Sequence, residues 1–345
     1  MLPYYQLITL SKQGGDLMKK IVDDGRLIYK CCYLYYVDGM GQKEICEQIG
    51  ISRATVSRML KAGKENGVVK IELENPDSVL YGELEREIEQ RLNLKEVLIV
   101  DEMELESKAD HMQRVNEEAL TYLCRIFNKG DYIGVSMGKT LSNIVNTKKS
   151  VDEIDCTFVP VVGGIGSPLQ SDEGYHSNDI ANGFAKIFHA RSVQFFAPAM
   201  FDDPNVMEGF LKEKPVREVV SLFKKLKTVV MGIGSMSAKE STLVKCGYQT
   251  KEKYEAFKKQ GAVGDVLLKY VDAQGNSEPF KNFNDRVMGL SDEGLMKVKN
   301  RIGIAVGEEK GEAVLGVIRA QKINILITDI SCVKKLLSLL EEEEK

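Results

Sequence analysis

The sequence predicts a mixed α/β chain in two unequal parts, a small helix-turn-helix unit followed by a large open α/β domain of Rossmann type. Three observations predict it. At 345 residues the chain exceeds one ordinary core, because domains cluster near ~100–150 residues and cores stop growing beyond ~250–300. After Leu94, short Val- and Ile-rich runs alternate with glycine-containing loops and amphipathic segments, the pattern of a parallel sheet covered on both faces. Before them, two short amphipathic periods flank Gly50, and a glycine there permits a tight turn. The expected division is residues 17–75 for the helix-turn-helix unit, 76–93 for a linker helix and 94–345 for the α/β domain.

The elements follow in order. Leu27, Ile28, Cys31, Leu34 and Tyr35 recur at helical spacing and stop at Gly39 and Gly41. A second helix spans about Gln42 to Gln48. Ser52 is an N-cap for a third, whose buried stripe is Val56, Met59 and Leu60 and which Gly67 ends. Val68 to Leu73 alternates like a strand before Asn75 and Pro76. From Ser78 to Leu92, leucines and Ile88 at four-residue intervals predict a helix that either packs on its own domain or pairs with a second subunit. The strands expected beyond are Glu96–Val100, Tyr132–Val135, Thr157–Val162, Thr228–Met231, Ile302–Val306 and Ile325–Thr328. Helices fall over Val115–Phe127, Asn178–Phe188 and Val216–Lys225. In such sheets ligands bind beyond the carboxyl ends of the strands.

Composition narrows the function. The apolar runs are far shorter than the ~20 residues that span a bilayer, and residues 1–15 lack the pattern of a secretory signal, so a cytoplasmic protein with no membrane partner is expected. Seven cysteines without C-x-x-C spacing read as buried hydrophobes. Net charge is −4, yet Ile51 to Lys70 holds Arg53, Arg58, Lys61, Lys64 and Lys70 against Glu65 alone. The run Glu341–Glu344 is the opposite extreme and reads as a solvated tail.

A basic second helix after a Gly turn suits a DNA major groove. Ser52, Arg53, Ala54, Thr55, Ser57, Arg58 and Lys61 are the candidate DNA-binding residues. Arg can bond guanine O6 and N7 in pairs, the hydroxyls can meet bases or phosphates, and the lysines suit the backbone. A helical hairpin for protein contact is the bland alternative, and it gives no reason for five cations in twenty residues. The segments "ISRATVSRML" and "GVVKIEL" resemble the DNA-binding domain of the SorC family of bacterial sugar-responsive transcriptional regulators.

Three loops follow strand ends. "DYIGVSMGKT" fails as a P-loop because Gly134 and Gly138 enclose three residues instead of four. It still presents a strand, a small-residue loop and a helix start, where free N–H groups favour phosphate. "VPVVGGIGSP" and "VVMGIGSMS" have the same shape, and neither completes a dinucleotide fingerprint. Each alone is equally a close-packed turn; together they form a crevice for an anionic, phosphate-sized ligand.

The order "DYIGVSMGKTL", "VGGIG", "GIGS", "GAVGDV", "IAVGEEKGEAV" and "NILITD" is also that of the SorC-type effector domain, so the resemblance runs from about Leu27 to Leu340. It implies a fold like that of sugar-phosphate isomerases and glucosamine-phosphate deaminases, and a phosphorylated sugar as effector. By resemblance, Ser136, Gly138 and Thr140 serve the phosphate. Gly163, Gly164, Ile165, Gly166 and Asn178 line the sugar side, Gly232 and Gly234 belong to the third loop, Asp265 accepts from sugar hydroxyls and Lys310 pairs with phosphate. The family commonly has glycine and an aromatic where Val306 and Met137 stand. His176 lies near the "GGIG" loop; His111 and His189 read as structural. An isomerase or deaminase needs a positioned base with a partner acid, and its acidic turn is replaced here by Gly232 to Ser235. A sugar-phosphate enzyme with an accessory DNA-binding domain is therefore the alternative to a regulator, most often a repressor in this family, of a carbohydrate operon. No cofactor or metal is expected. The expected partners are operator DNA, the sugar phosphate and further copies of the chain, as a dimer or tetramer.

Overall fold

The computed structural model describes residues 24–72, 80–164, 175–236 and 241–344. The chain divides into two units, Met1–Ser78 and Val79–Lys345.

In the smaller unit, helices α1 (Gly25–Tyr36), α2 (Gln42–Ile49) and α3 (Arg53–Glu65) close round Ile28, Cys31, Cys32, Ile45, Val56 and Met59. Asp24 caps α1 by accepting from Arg26 and Leu27 N–H, and the Glu44 carboxylate takes the Gly41 amide ahead of α2. Gly50 ends α2 at φ +76°, a left-handed conformation that glycine adopts without Cβ strain. The strand expected over Val68–Leu73 is not formed in its described part. Residues 68–72 are irregular, Val69 alone packs inward, and Val68 and Ile71 are exposed. Alternation creates a strand only where a partner takes its backbone groups, and among the described residues of this unit no second strand offers one. Asn75 and Pro76, the expected boundary, lie outside the described residues.

The larger unit opens with α4 (Gly82–Arg91), β1 (Glu96–Val100), α5 (Lys108–Ile126), β2 (Tyr132–Val135), α6 (Lys139–Val145), β3 (Thr157–Pro160), α7 (Ser177–Ile187) and β4 (Arg191–Ser192). It continues through α8 (Pro204–Lys212), α9 (Lys214–Leu222), β5 (Leu226–Gly232), β6 (Gly234–Ser235), α10 (Thr242–Lys245), α11 (Lys251–Lys259), β7 (Ala262–Val266) and β8 (Lys269–Asp272). It closes with α12 (Lys281–Asn284), α13 (Asp292–Met296), β9 (Asn300–Ile304), α14 (Gly311–Arg319), β10 (Ile325–Asp329) and α15 (Ile330–Glu343).

Seven parallel strands form one sheet in the order β1-β10-β9-β5-β2-β3-β4. Alternation along each strand feeds two cores. Ile133, Val135, Phe158, Val230, Ile302 and Ile304 meet α5, α6 and α7 on one face. Val159, Val229, Met231 and Leu326 meet residues of α9, α14 and α15 on the other. From β2 the chain proceeds outward to β3 and β4, then returns to the other side of β2 as β5 and proceeds to β9 and β10. The direction reverses between β2 and β5, and such a reversal opens a crevice at the carboxyl ends. A second sheet, β6-β7-β8, is antiparallel and was not expected from the sequence.

The helix expected over Ser78–Leu92 is formed from Gly82 to Arg91 and packs on β1. Its role is particular. Strand β1 is a sheet edge, and its outward amides on Val97 and Ile99 are taken by the carboxylates of Glu89 (3.1 Å) and Glu85 (2.8 Å). The helix thus covers an edge that would otherwise invite pairing. Glu89→Ala strips the buried Val97 amide of its acceptor, and an unmet buried donor costs ~1–3 kcal/mol. Urea unfolding is expected to show that loss, with Glu89→Gln recovering most of it.

The acidic run is likewise tied down. Glu341 to Glu343 continue α15, Glu343 pairs with Arg319, and Glu344 pairs with Arg91 at 2.8 Å. The run is solvent-exposed, as the solvated reading expects, but it continues a helix instead of forming a loose tail, and exposed pairs contribute only ~0–1 kcal/mol each. None of the seven cysteines is in a disulfide, and Cys46 and Cys124 are only half-buried. No helix among the described residues is long and apolar enough to cross a membrane.

Candidate nucleic-acid interface and effector cavity

Helix α3 displays one basic face. Arg53, Ala54, Ser57, Arg58, Lys61 and Lys64 are exposed on it while Val56, Met59 and Leu60 are buried. Ser52 and Thr55 are placed differently from the other candidates: Ser52 Oγ accepts the Thr55 amide (3.2 Å) and stands 2.8 Å from Thr55 Oγ1. Thr55 is buried, so its hydroxyl belongs to the helix cap and not to the outer face. Arg58 Nε reaches back to the Ala54 carbonyl at 3.3 Å, and Lys61 lies 3.6 Å from Glu65. Lys64 sits over the Tyr36 ring at 5.7 Å. Such contacts hold long side chains near the helix without neutralising the face.

In the larger unit a cavity of about 300 Å³ lies at the reversal point. Strand β2 ends into Ser136, Met137 and Gly138, and α6 starts at Lys139. Gly138 stands at φ +121°, outside the range of L side chains, so the chain can turn from strand into helix there only with glycine. Its amide donates to the Tyr175 carbonyl at 2.9 Å. An anion would meet the following turn, where helix-start amides lack intrahelical acceptors. The end of β5 at Gly232, the linking Ile233 and the start of β6 at Gly234 also line it, and the Gly232 amide lies 3.4 Å from Ser136 Oγ.

Asp265 enters from β7, which pairs Asp265 with Gly234 across the small sheet. A Cβ on Gly234 would stand 2.1 Å from Asp265 Oδ1, so this glycine lets the carboxyl lie against the backbone. Burial pushes the Asp265 carboxyl up to about 6, and the Lys310 ammonium opposes that rise. Lys310 follows β9, on the turn Glu308–Lys310, and its Nζ donates to the Ile233 carbonyl at 3.0 Å. The ammonium groups of Lys139 and Lys310, the hydroxyls of Ser136 and Thr140, a helix start and the carboxyls of Asp265 and Glu309 therefore line one space. The first three suit an anion, and the carboxyls suit hydroxyl donors.

Of the sequence-derived effector residues, Ser136, Gly138, Thr140, Gly232, Gly234, Asp265 and Lys310 all line this cavity. Gly163, Gly164 and Asn178 are not among its lining residues. Gly163 lies where a Cβ would be 2.2 Å from the Pro198 carbonyl oxygen. Asn178 holds the Phe195 backbone by its Oδ1 (2.8 Å) and Nδ2 (3.4 Å). These three act as a close-packed turn and its strut. Ile165 and Gly166 lie outside the described residues. His176 Nδ1 meets the Tyr248 hydroxyl at 3.2 Å, and His176 does not line the cavity.

Residues that the sequence did not single out also line the wall, among them Met112, Asn143, Ser241, Leu243, Leu267, Leu268 and Glu309. Leu267 and Leu268 form the turn between β7 and β8 at φ +53° and +62°. Both are buried. Asn-Gly is the usual signal for such a turn, so leucines there, held left-handed by burial, give no local sequence sign.

A basic reader helix on one unit and an anion-suited cavity at the reversal point of a parallel sheet on the other define a ligand-responsive transcriptional regulator. The Sugar-bind family model, the sugar-binding domain, matches residues 80–338. The chain belongs to the SorC family of sugar-responsive transcriptional regulators. It is 29% identical to the sorbitol operon regulator of Klebsiella pneumoniae over 319 residues, 91% of this chain and 98% of that one. It is 28% identical to the deoxyribonucleoside regulator of Bacillus subtilis over 306 residues, 88% and 95% of the two chains. The crystal structure of full-length SorC from Klebsiella pneumoniae superposes with a TM-score of 0.67 at 27% identity, covering 92% of this chain and 99% of that one. These relatives are regulators and not enzymes, so the family places this chain with the former.

Proposed function

We propose that the protein represses a carbohydrate-utilisation operon in the cytoplasm and that a phosphorylated sugar in the larger unit's cavity sets its affinity for operator DNA. The observation that carries this reading is the convergence of Lys310, Ser136, Thr140 and the start of α6 on one space, with Asp265 beside it. Its volume of about 300 Å³ is at the lower end of small-molecule sites and suits a single phosphorylated monosaccharide. The names of the relatives, a sorbitol and a deoxyribonucleoside regulator, point to sugar-linked effectors. No cofactor enters this mechanism.

Arg53, Ser57 and Arg58 face the major groove with Ala54 allowing close approach, Lys61 meets the backbone, and Ser52 and Thr55 fix the start of the helix. One such module reads a half-site, so the acting species is a dimer or tetramer on near-palindromic DNA. The effector acts by binding two arrangements of the subunits unequally, a coupling of roughly 1–3 kcal/mol in typical cases.

A thermal-shift screen of phosphorylated against free sugars tests the ligand class. A ligand of the folded state at 100 times its Kd adds ~2.7 kcal/mol, and a shift with free sugars alone would discard the phosphate reading. For the DNA, Arg53→Ala is expected to weaken a specific site by ~1–3 kcal/mol. Unchanged operator affinity removes Arg53 from the reading set.

A further inference from the structure

We propose that Arg91, Arg301 and Arg319 form a second anion site on the larger unit, suited to a small phosphate-bearing molecule and placed at the amino ends of the strands, away from the effector cavity. The three line one recess of about 470 Å³, together with Leu94 before β1 and Asn324 before β10. Two of them have an ordinary reason to stand there. Arg91 and Arg319 fall in the last turns of α4 and α14, where a cation eases the helix dipole. Arg301 has no such reason, since it lies on β9. Its Nη1 donates to the Val298 carbonyl at 3.0 Å, and its Nε is buried without a hydrogen-bond partner. Burial pulls its pKa down, and among the described residues no carboxylate opposes that.

A partly buried charge without a counter-charge is costly, and an anion in the recess offsets that cost. Arg301 is not fully enclosed, so an anion can reach it. A guanidinium stays charged and its planar fork matches pairs of phosphate oxygens, which favours phosphate over a simple halide. Ile318, Ile323 and Leu340 give the recess an apolar wall, and that suits the carbon part of an organic phosphate. The chain itself supplies a partial substitute for the ligand. Glu343 pairs with Arg319, and Glu344 pairs with Arg91 at 2.8 Å. Both glutamates are exposed, so these pairs are weak and exchangeable. An entering phosphate then competes with the two carboxylates for Arg91 and Arg319 and finds Arg301 without one. Because Arg91 belongs to α4, the exchange also unties the end of α15 from that helix.

Calorimetric titration of inorganic pyrophosphate into the full-length Lys310→Met chain tests the site, the substitution weakening any contribution from the effector cavity. Saturable binding below millimolar pyrophosphate is expected. Adding Arg301→Met should lower the affinity roughly tenfold or more, the loss that one charge-assisted pair implies. Adding Glu343→Gln together with Glu344→Gln should raise it, because Arg319 and Arg91 are then released from their carboxylates. Both glutamates are exposed, so this variant keeps the fold even where Arg301→Met does not. No saturable binding in the glutamine variant overturns the proposal, and so does an affinity that the glutamine substitutions leave unchanged. Undiminished affinity in a folded Arg301→Met chain overturns it as well.

Discussion

Lys310→Met is expected to leave operator binding without effector unchanged while lowering affinity for the phosphorylated sugar ~10- to 150-fold. A charge-assisted hydrogen bond contributes ~1.5–3 kcal/mol, and each ~1.4 kcal/mol is a factor of ten. Methionine keeps the aliphatic stem that packs beside the cavity and removes only the ammonium. In the free protein that ammonium donates to the Ile233 carbonyl and lies near Asp265. It is therefore held in place before any ligand arrives, which lowers the ordering cost of binding. Calorimetry with the sugar phosphate and a DNA-binding assay with and without it separate the two effects. Wild-type effector affinity in the variant would remove Lys310 from the phosphate site.

On the proposed function, specificity for one sugar over another has a separate location. Met137 and Val306, where the family resemblance implies an aromatic and a glycine, both line the cavity. Val306 adds bulk beside Lys310, and Met137 exchanges a flat ring for a flexible chain. On the proposed function, the departures bear on the shape around the sugar and leave Ser136, Thr140 and Lys310 in place for the phosphate.

How far the sequence could be read depends on how local each signal is. Strands such as Ile325–Asp329 are buried on both faces, so their composition alone marks them. The glycines after β2 and β5 mark sharp turns, and three such turns in one sheet indicate a crevice. The Gly163–Gly164 pair shows the limit of that inference, because close packing of Gly163 against Pro198 and of Gly164 against Asn178 demands glycine as firmly as a ligand would. Asp265 and Lys310 enter the cavity from elements more than a hundred residues beyond Ser136, and no local pattern connects them; the family resemblance supplied both. Glu85 and Glu89 look like the solvent face of an amphipathic helix, and only the position of β1 at the sheet edge turns them into backbone acceptors. The β6–β7–β8 sheet escaped notice because Gly234–Ser235 is two residues long and its hairpin turn is made of leucines.

Asp265→Asn is expected to change stability and function in opposite directions. The wild-type carboxyl is pushed up to about 6 from 3.8, chiefly by burial, with Lys310 pulling the other way. A group whose folded-state pKa is raised contributes stability that is fully present below 3.8 and lost as pH rises through about 6. At one pKa unit per ~1.36 kcal/mol, the ionised carboxylate costs the folded protein on the order of 3 kcal/mol at pH 8. Asparagine keeps the size and does not ionise. The variant should then unfold at higher urea than wild type at pH 8 and gain nothing at pH 4, while binding sugar phosphate more weakly for want of a carboxylate acceptor. A stability difference that is the same at both pH values would show that Asp265 titrates alike in the folded and unfolded protein, with no burial penalty on its carboxylate. The protein's tolerance of a destabilising carboxylate beside its cavity is what a ligand-hydroxyl acceptor requires, since the strongest acceptor for a buried hydroxyl is an ionised one.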